Sequence, residues 1–165
     1  MRPLNFLATI IIALLAAMPV LAADVLFELS GTNSKGEAVT VAMTRPAADE
    51  FGLTEIQTKL VSQGEDLHKV KGITVSGLIK RYDLVGVSLA IEALDGYSVD
   101  VPRSDIDSYP AVIGLEIDGK PISVRERGPA WLIYPVSGFK ELDSPEFEAR
   151  SVWQIKAIKV GSGSN

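Results

Sequence analysis

The chain has 165 residues, of which 22% are charged and none is cysteine. Sixteen basic residues against twenty-one acidic ones give a formal net charge of −5, which leaves no electrostatic footprint for nucleic acid or anionic lipid. Without cysteine there is no disulfide, no thiolate metal ligand and no cysteine-borne lipid anchor. A chain of this length buries about 70% of its unfolded surface and needs none of these to fold.

The N-terminus has the pattern of a secretory signal peptide. Arg2 is the only charged residue before Asp24, an apolar run covers 4–20, and the small residues at 22–23 suit a signal peptidase. We therefore predict a cleaved signal peptide at 1–23. The alternative is a membrane anchor, because the apolar run is nearly long enough to span a bilayer. Pro19 and the alanines beside the junction favour cleavage.

The type of signal also constrains the route of export. The signal has one arginine and no twin-arginine pair, as in general secretion signals, which pass an unfolded chain across the membrane. An unfolded chain cannot carry a non-covalently bound cofactor through a narrow pore. The sequence therefore predicts a periplasmic or secreted protein with no stable membrane anchor after cleavage.

The first part of the mature chain is predicted to consist mostly of strands. Alternating apolar residues at 25–30 and 39–44, separated by polar residues, predict a hairpin. Pro46 begins a short helical turn that ends at Gly52. The alternation at 55–61 predicts a third strand.

A helix is predicted directly after the stretch 70–74. Thr74 can cap its N-terminus. Its apolar face would comprise Val75, Leu78, Ile79 and Tyr82. Gly77 falls inside this helix and weakens it by about 1 kcal/mol relative to alanine. We expect close packing against a strand to be the reason for this glycine.

The second part continues with strands and tight turns. Five further strands are predicted, at 87–91, 97–101, 111–117, 131–134 and 152–160. Asp95-Gly96 and Asp118-Gly119 are expected as tight turns, and Ser104 as the cap of a single helical turn. A long loop at 135–150, with a helical turn near its end, separates the last two strands.

The most distinctive stretches of the chain are Val70–Ile79, Asp118–Ile122, Gly128–Trp131 and Arg150–Ile155. Together they resemble the oxidoreductase molybdopterin-binding domain, the fold of the sulfite oxidase family. The resemblance implies the α+β class, with a mixed, mostly antiparallel β domain and two or three short helices. We expect this single domain at 24–160, followed by a flexible tail at 161–165.

The resemblance also implies a metal site that this chain does not provide. In the resembled family a cysteine thiolate and a pterin dithiolene hold molybdenum, because a soft ligand suits that metal. The implied position of that cysteine falls on Thr58, Lys59, Leu60, Val61 or Ser62, none of which is a soft ligand. The resemblance further implies insertion of the cofactor into a folded cytoplasmic protein, which general secretion does not allow. We therefore expect no metal and no cofactor; the alternative is molybdopterin with Ser62 as an oxygen ligand.

Arg150 is the charged residue predicted to bind a ligand. An arginine at this position could hold a phosphate or a carboxylate in a bidentate manner. The alternative is that Arg150 pins the long loop to the sheet through an ion pair with Asp143, Glu146 or Glu148.

Four aromatic residues are predicted to contribute to the same site. Trp131, Tyr134 and Trp153, with Tyr97 close by, would form an aromatic wall that suits a flat ligand such as a pterin. Core packing is the alternative for the tryptophans. Tyr97 follows a tight turn, so its hydroxyl is expected to lie in water.

The remaining candidates have weaker patterns. His68, the only histidine, is expected to be solvated in a charged loop, and alone it lacks the partners for a metal site. As a general base beside Ser62 or Ser76 it would form a minimal hydrolase pair, but neither serine lies in a Gly-x-Ser-x-Gly elbow. Arg125 and Arg127 are expected on a solvated hairpin edge.

These observations favour a non-catalytic module that binds a small anionic ligand or a periplasmic partner protein. The alternative is a molybdopterin-dependent oxidoreductase of the sulfite oxidase type with an atypical metal ligand. A third hypothesis is a structural subunit that contacts its complex through the loop at 135–150. No catalytic residue is predicted from the sequence.

Overall fold

The structure is a computed structural model that describes residues 24–161. The predicted signal peptide at 1–23 and the tail beyond Gly161 lie outside the described residues. Within residues 24–161, no helix is long and apolar enough to cross a membrane.

Eleven strands and four short α-helices make up the described part of the chain. The strands are β1 (Val25–Asn33), β2 (Ala38–Thr44), β3 (Thr54–Lys59), β4 (Leu67–Thr74), β5 (Leu84–Val85), β6 (Ser88–Ala93), β7 (Ser98–Pro102), β8 (Val112–Ile117), β9 (Lys120–Pro121), β10 (Trp131–Ile133) and β11 (Ile155–Gly161). The α-helices are α1 (Arg45–Phe51), α2 (Val75–Arg81), α3 (Arg103–Ser108) and α4 (Pro145–Arg150). Two 3-10 turns cover Val124–Glu126 and Lys140–Leu142.

The strands form two β-sheets. The first has the order β2-β1-β11-β6-β7, with β5 paired to β1. β1 and β11 run parallel, and the other neighbours in this sheet are antiparallel. The second, wholly antiparallel sheet has the order β10-β8-β4-β3, with β9 paired to β8. The architecture is therefore the predicted mixed, mostly antiparallel α+β class, with four α-helices among residues 24–161 rather than two or three.

Side-chain alternation along β10 divides its residues between two hydrophobic clusters. Leu132 belongs to the main core, which joins apolar side chains of both sheets. Trp131 and Ile133 belong to a smaller cluster on the other face of the second sheet. Burial of each such large side chain stabilises the fold by about 1.5–3 kcal/mol. β10 is thus the strand that carries side chains toward both the core and the candidate site.

A short bridging segment (residues 151–154) between α4 and β11 connects the two sheets. The amide of Leu132 in β10 donates to the carbonyl of Val152 over 2.8 Å. The amide of Leu94, in the turn after β6, donates to the carbonyl of Gln154 over 2.9 Å. The bridging segment is therefore bonded to both sheets without being a strand of either.

Most predicted elements are confirmed. They are the β1–β2 hairpin, helices α1 and α2, the β6–β7 hairpin and the turn after β8. Two boundaries were wrong. β3 ends at Lys59, and β11 begins at Ile155 because the bridging segment bonds elsewhere and Gln154 has a left-handed φ of 51°.

One predicted helix detail was wrong. α3 begins at Arg103, directly after Pro102, so Ser104 lies inside the helix and does not cap it. Gly77 is closely packed against both a strand end and another helix, since a Cβ there would lie 2.5 Å from Oγ1 of Thr74, the last residue of β4, and 3.4 Å from the Phe51 ring of α1. Thr74 is the N-cap residue of α2, but its side chain makes no capping hydrogen bond.

We expect Gly72→Ala to lower the free energy of unfolding by about 2–4 kcal/mol. A Cβ at Gly72 would lie 2.0 Å from the carbonyl oxygen of Ile113, so β4 and β8 would have to separate. Urea unfolding of the purified protein measures the change. Gly138→Ala is the matched control, because a Cβ at Gly138 would lie 3.5 Å from its nearest neighbour, the carbonyl oxygen of Pro135, which is an ordinary contact distance. Equal losses in the two variants would contradict the prediction.

Candidate functional site

A small cavity lies beside the bridging segment, with a volume of about 270 Å³. Its lining is mostly apolar and aromatic, with one guanidinium and two carboxylates. The residues are Val61, Ser62, Asp95, Tyr97, Arg127, Trp131, Glu148, Ala149, Ser151, Val152 and Trp153. The structure therefore brings Tyr97, Trp131 and Trp153, three of the four predicted aromatic residues, to one site.

The Arg127 guanidinium packs against both tryptophans. Its Cζ lies 4.2 Å from the ring centroid of Trp153 and 5.0 Å from that of Trp131. These are cation–π distances. Arg127 directly follows the 3-10 turn and has a left-handed φ of 80°. Its Nη1 donates to the carbonyl of Val61 over 2.9 Å, and burial lowers the pKa of the guanidinium.

The two tryptophans have different environments. Trp131 is 1% exposed, and its Nε1 donates to the carbonyl of Ser151 over 3.1 Å. Trp153 is 41% exposed, and its ring meets that of Trp131 edge-on with a centroid distance of 6.4 Å. Trp131 thus belongs to the buried base of the cavity, as core packing predicts, while Trp153 presents aromatic surface to solvent.

Tyr97 forms another part of the cavity wall. Its hydroxyl was expected to lie in water, but it is hydrogen-bonded to the protein. The hydroxyl donates to the carbonyl of Ala149 at the end of α4 over 3.0 Å. The amide of Tyr97 donates to Asp95 Oδ1 over 2.9 Å. The ring is 47% exposed and is held at both its ends.

Tyr134 is not part of this wall. Strand alternation places it with Leu132 in the main core, where its ring packs edge-on against Phe147 at 5.1 Å. Burial raises the pKa of the Tyr134 hydroxyl, and the nearby Asp105 carboxylate raises it further. The hydroxyl is fully buried and has no well-formed hydrogen bond among residues 24–161, and the Asp105 carboxylate is the polar group that acts on it. The prediction that placed Tyr134 with the two tryptophans overlooked this alternation.

Arg150 is held by two ion pairs away from the small cavity. Its Nη1 lies 2.8 Å from Asp105 Oδ2 of α3, and its Nη2 lies 2.7 Å from Glu146 Oε1 of α4. Burial raises the pKa of the Asp105 carboxyl, and the Arg150 guanidinium opposes that shift. Glu146 was one of the predicted loop partners, whereas Asp105 was not. Arg150 thus joins α4 to helix α3, whereas the alternative to ligand binding expected it to pin the loop to the sheet.

A second, larger cavity of about 980 Å³ lies next to the first. It is bordered by the segment after β3 and by the loop before α4. Val61, Ser62 and Glu148 line both cavities, and the Ser62 hydroxyl donates to Glu148 Oε1 over 2.5 Å between them. Among the positions to which the resemblance assigns the metal-binding cysteine, Val61 and Ser62 therefore border both cavities.

The donor set at these positions does not fit a thiolate-bound molybdenum. Thr58 is fully buried and hydrogen-bonded to the Ser137 amide and hydroxyl, and Ser62 donates to Glu148. Lys59 is paired with Glu65. In the described part of the chain, no cluster of three His, Cys, Asp or Glu side chains could hold a metal ion. Hard or neutral oxygen donors do not replace a soft thiolate.

His68 lies in β4 and not in a solvated loop. Its Nδ1 is 2.8 Å from Asp118 Oδ2, in the turn after β8. The His68 ring and the Lys69 amide, both bonded to Asp118, hold the pKa of that carboxyl below its ordinary value. The antiparallel register of β4 and β8 brings these residues together, so the pair links the ends of two neighbouring strands.

Comparison with known proteins shows the fold. No protein-family model and no curated protein matches the sequence. Among solved structures, the crystal structure of the sulfane dehydrogenase SoxCD from Paracoccus pantotrophus matches with a TM-score of 0.58 and 14% sequence identity. The match covers 82% of this chain and 38% of the length of that chain. The likeness agrees with the predicted sulfite oxidase-like fold as a distant relationship.

Sequence reasoning missed Arg127 as a site residue. The sequence showed arginines at 125 and 127 around Glu126, a pattern typical of a solvated edge. Only the left-handed backbone at Arg127 and the distant return of the chain at Trp153 create the contact. No local pattern contains this information.

We expect Arg150→Gln to lower the free energy of unfolding by about 2–4 kcal/mol at neutral pH, because it leaves the Asp105 carboxylate without its partner. Loss of the guanidinium raises the pKa of Asp105 further, so the folded variant binds the proton at higher pH than the parent. The loss should therefore shrink as pH falls from about 7 to about 4. Urea unfolding across this pH range measures the change in the free energy of unfolding.

Arg103→Gln is the control, because it breaks the exposed Arg103–Asp107 pair and should lower the free energy of unfolding by less than about 1 kcal/mol. A loss of stability in Arg150→Gln that does not depend on pH would contradict the prediction.

We expect Tyr134→Phe to leave the free energy of unfolding within about 1 kcal/mol of the parent or to raise it, because the hydroxyl it removes is buried without a well-formed hydrogen bond. Tyr97→Phe is the comparison, since it removes a hydroxyl that donates to Ala149 and should cost about 0.5–1.5 kcal/mol. Thermal and urea unfolding measure both. A loss at Tyr134 larger than that at Tyr97 would mean that the buried hydroxyl is bonded after all.

Proposed function

We propose that this protein is an exported, molybdopterin-binding-domain-like module that works without molybdenum as a non-catalytic ligand-binding or protein-interaction protein. The observation that carries the proposal is the donor set at the end of β3 and directly after it, where Thr58 and Ser62 are engaged with Ser137 and Glu148. Where the resembled family holds molybdenum through a thiolate, the polar side chains of this chain are two hydroxyls and a lysine, all engaged with other protein groups. The periplasmic or secreted location rests on the sequence at 1–23.

The candidate binding surface supports a recognition role. Two exposed aromatic side chains, Tyr97 and Trp153, line the small cavity. Two further exposed apolar residues, Leu94 and Val124, are bonded to Gln154, next to Trp153: the Gln154 carbonyl accepts from the Leu94 amide, and its Nε2 donates to the carbonyl of Val124 over 2.7 Å. Clustered exposed apolar side chains around a cavity are typical of sites that bind a ligand or a partner.

A second candidate function is a molybdopterin-dependent oxidoreductase with an atypical metal ligand. The larger cavity favours it, because about 980 Å³ lies at the upper end of the range for small-molecule sites and borders the implied metal position. Ser62 is the residue that would serve as the oxygen ligand. Its hydrogen bond to Glu148 would have to break first.

Elemental analysis of the full protein, purified from its native compartment, separates the two functions. We expect far less than one molybdenum atom per chain and no pterin in the oxidised extract, because no soft donor is present to hold the metal. A thiolate-ligated molybdenum enzyme from the same cells is the positive control for cofactor supply. Stoichiometric molybdenum that disappears in Ser62→Ala would overturn the proposal and establish the oxidoreductase.

A further inference from the structure

We propose that the small cavity binds a small planar organic anion, an aromatic or conjugated carboxylate, whose ring packs on the exposed Trp153 and Tyr97 side chains and whose carboxylate pairs with the Arg127 guanidinium. This inference rests on the proposed non-catalytic binding function and names its ligand class. It concerns the small cavity, and not the larger one where the implied metal position lies.

Arg127 supplies the charge that selects an anion. A guanidinium has five N–H donors, and one of these at Arg127 is used on the carbonyl of Val61. Among residues 24–161 the other donors make no hydrogen bond, and the Glu148 carboxylate, which acts on the guanidinium and opposes the lowering of its pKa, lies beyond ion-pair distance. A planar guanidinium with unused donors binds a carboxylate well, and partial burial strengthens the attraction.

Trp153 and Tyr97 supply the surface that selects a planar ligand. Each ring is about half exposed at the cavity, whereas Trp131 closes the buried side. Exposed aromatic side chains accept a ring by offset or edge-on packing. Since about 270 Å³ is just below the usual range for drug-sized ligands, the cavity suits a single ring with a short substituent.

The two carboxylates of the lining are engaged by the protein itself. Asp95 accepts from the Tyr97 amide, and Glu148 accepts from the Ser62 hydroxyl. These carboxylates also suggest the main alternative class of ligand, since an aromatic cation could pair with them instead of an aromatic anion pairing with Arg127. The charge of the preferred ligand therefore decides the proposal.

The groups that line the small cavity are held in place by the protein without a ligand. The backbone amide of Gln154 donates to the carbonyl of Arg127 over 2.9 Å, and the Tyr97 hydroxyl donates to the carbonyl of Ala149. The rings and the guanidinium are thus held by backbone contacts from three separate parts of the chain. Rigid groups lose little conformational entropy on binding, which favours affinity for a small ligand.

The chain carries its own reporter for a binding experiment. It has two tryptophans, and both contact the Arg127 guanidinium, so a change of tryptophan emission on titration reports this site. Benzoate is the probe, and calorimetry provides the dissociation constant. Benzamide, benzylamine and acetate are the matched neutral, cationic and non-aromatic probes. We expect benzoate to bind at least about tenfold more tightly than each of the three.

Variants locate the binding. Arg127→Gln and Trp153→Leu should each weaken benzoate binding by about tenfold or more, and Trp153 is exposed enough for the second variant to fold. Arg125→Gln, an exposed arginine of the same turn, should leave binding unchanged. Circular dichroism confirms folding of each variant.

Four outcomes would overturn the inference. They are no benzoate binding, equal binding of benzamide or acetate, tighter binding of benzylamine, and benzoate binding that survives Trp153→Leu. Each would refute the ligand class in a metal-free protein and leave the proposed non-catalytic function standing. Discovery of bound molybdenum would instead refute that function, so the two failures are distinguishable.

Discussion

The structure depends on the bridging segment (residues 151–154), which is bonded to both sheets. Its carbonyl at Val152 holds β10 of the second sheet, and its carbonyl at Gln154 holds the β6–β7 hairpin of the first. Because Trp153 lies between these two contacts, its side chain is placed where the sheets meet. Without this segment the guanidinium of Arg127 would have one indole beside it instead of two. One irregular stretch of backbone therefore sets the geometry of the aromatic site.

The same region shows how a fold and its chemistry separate. The resemblance implies a metal ligand at the end of β3 or directly after it. That strand is present, and the cavity beside it has a volume of about 980 Å³. The side chains there are engaged with other protein groups, and the polar groups are oxygens and a paired lysine. Metal binding depends on the identity of a few donor atoms, whereas the fold depends on apolar patterning spread over the whole chain. A distant likeness of folds therefore carries no information about the metal.

Strand patterning was enough to predict most of the fold, and the same principle explains a mistake at the site. The period-2 alternation that identifies the strand beginning at Trp131 also places Trp131 and Tyr134 on opposite faces, yet both were assigned to one wall. Arg127 could not have been found in the same way. Its contact with Trp153 needs a left-handed residue and a return of the chain from 26 residues away, and neither has a local signature.

The position of β11 in the first sheet has a consequence for how the polypeptide reaches its native state. β11 is the last described strand along the chain, yet it lies in the middle of its sheet, between β1 and β6. Until that final strand has been synthesised, β1 has only β2 and the two-residue strand β5 to pair with. Non-local pairing of this kind delays folding because the loop must close before the contacts form. A growing chain of this design cannot complete its first sheet until its C-terminal strand is free.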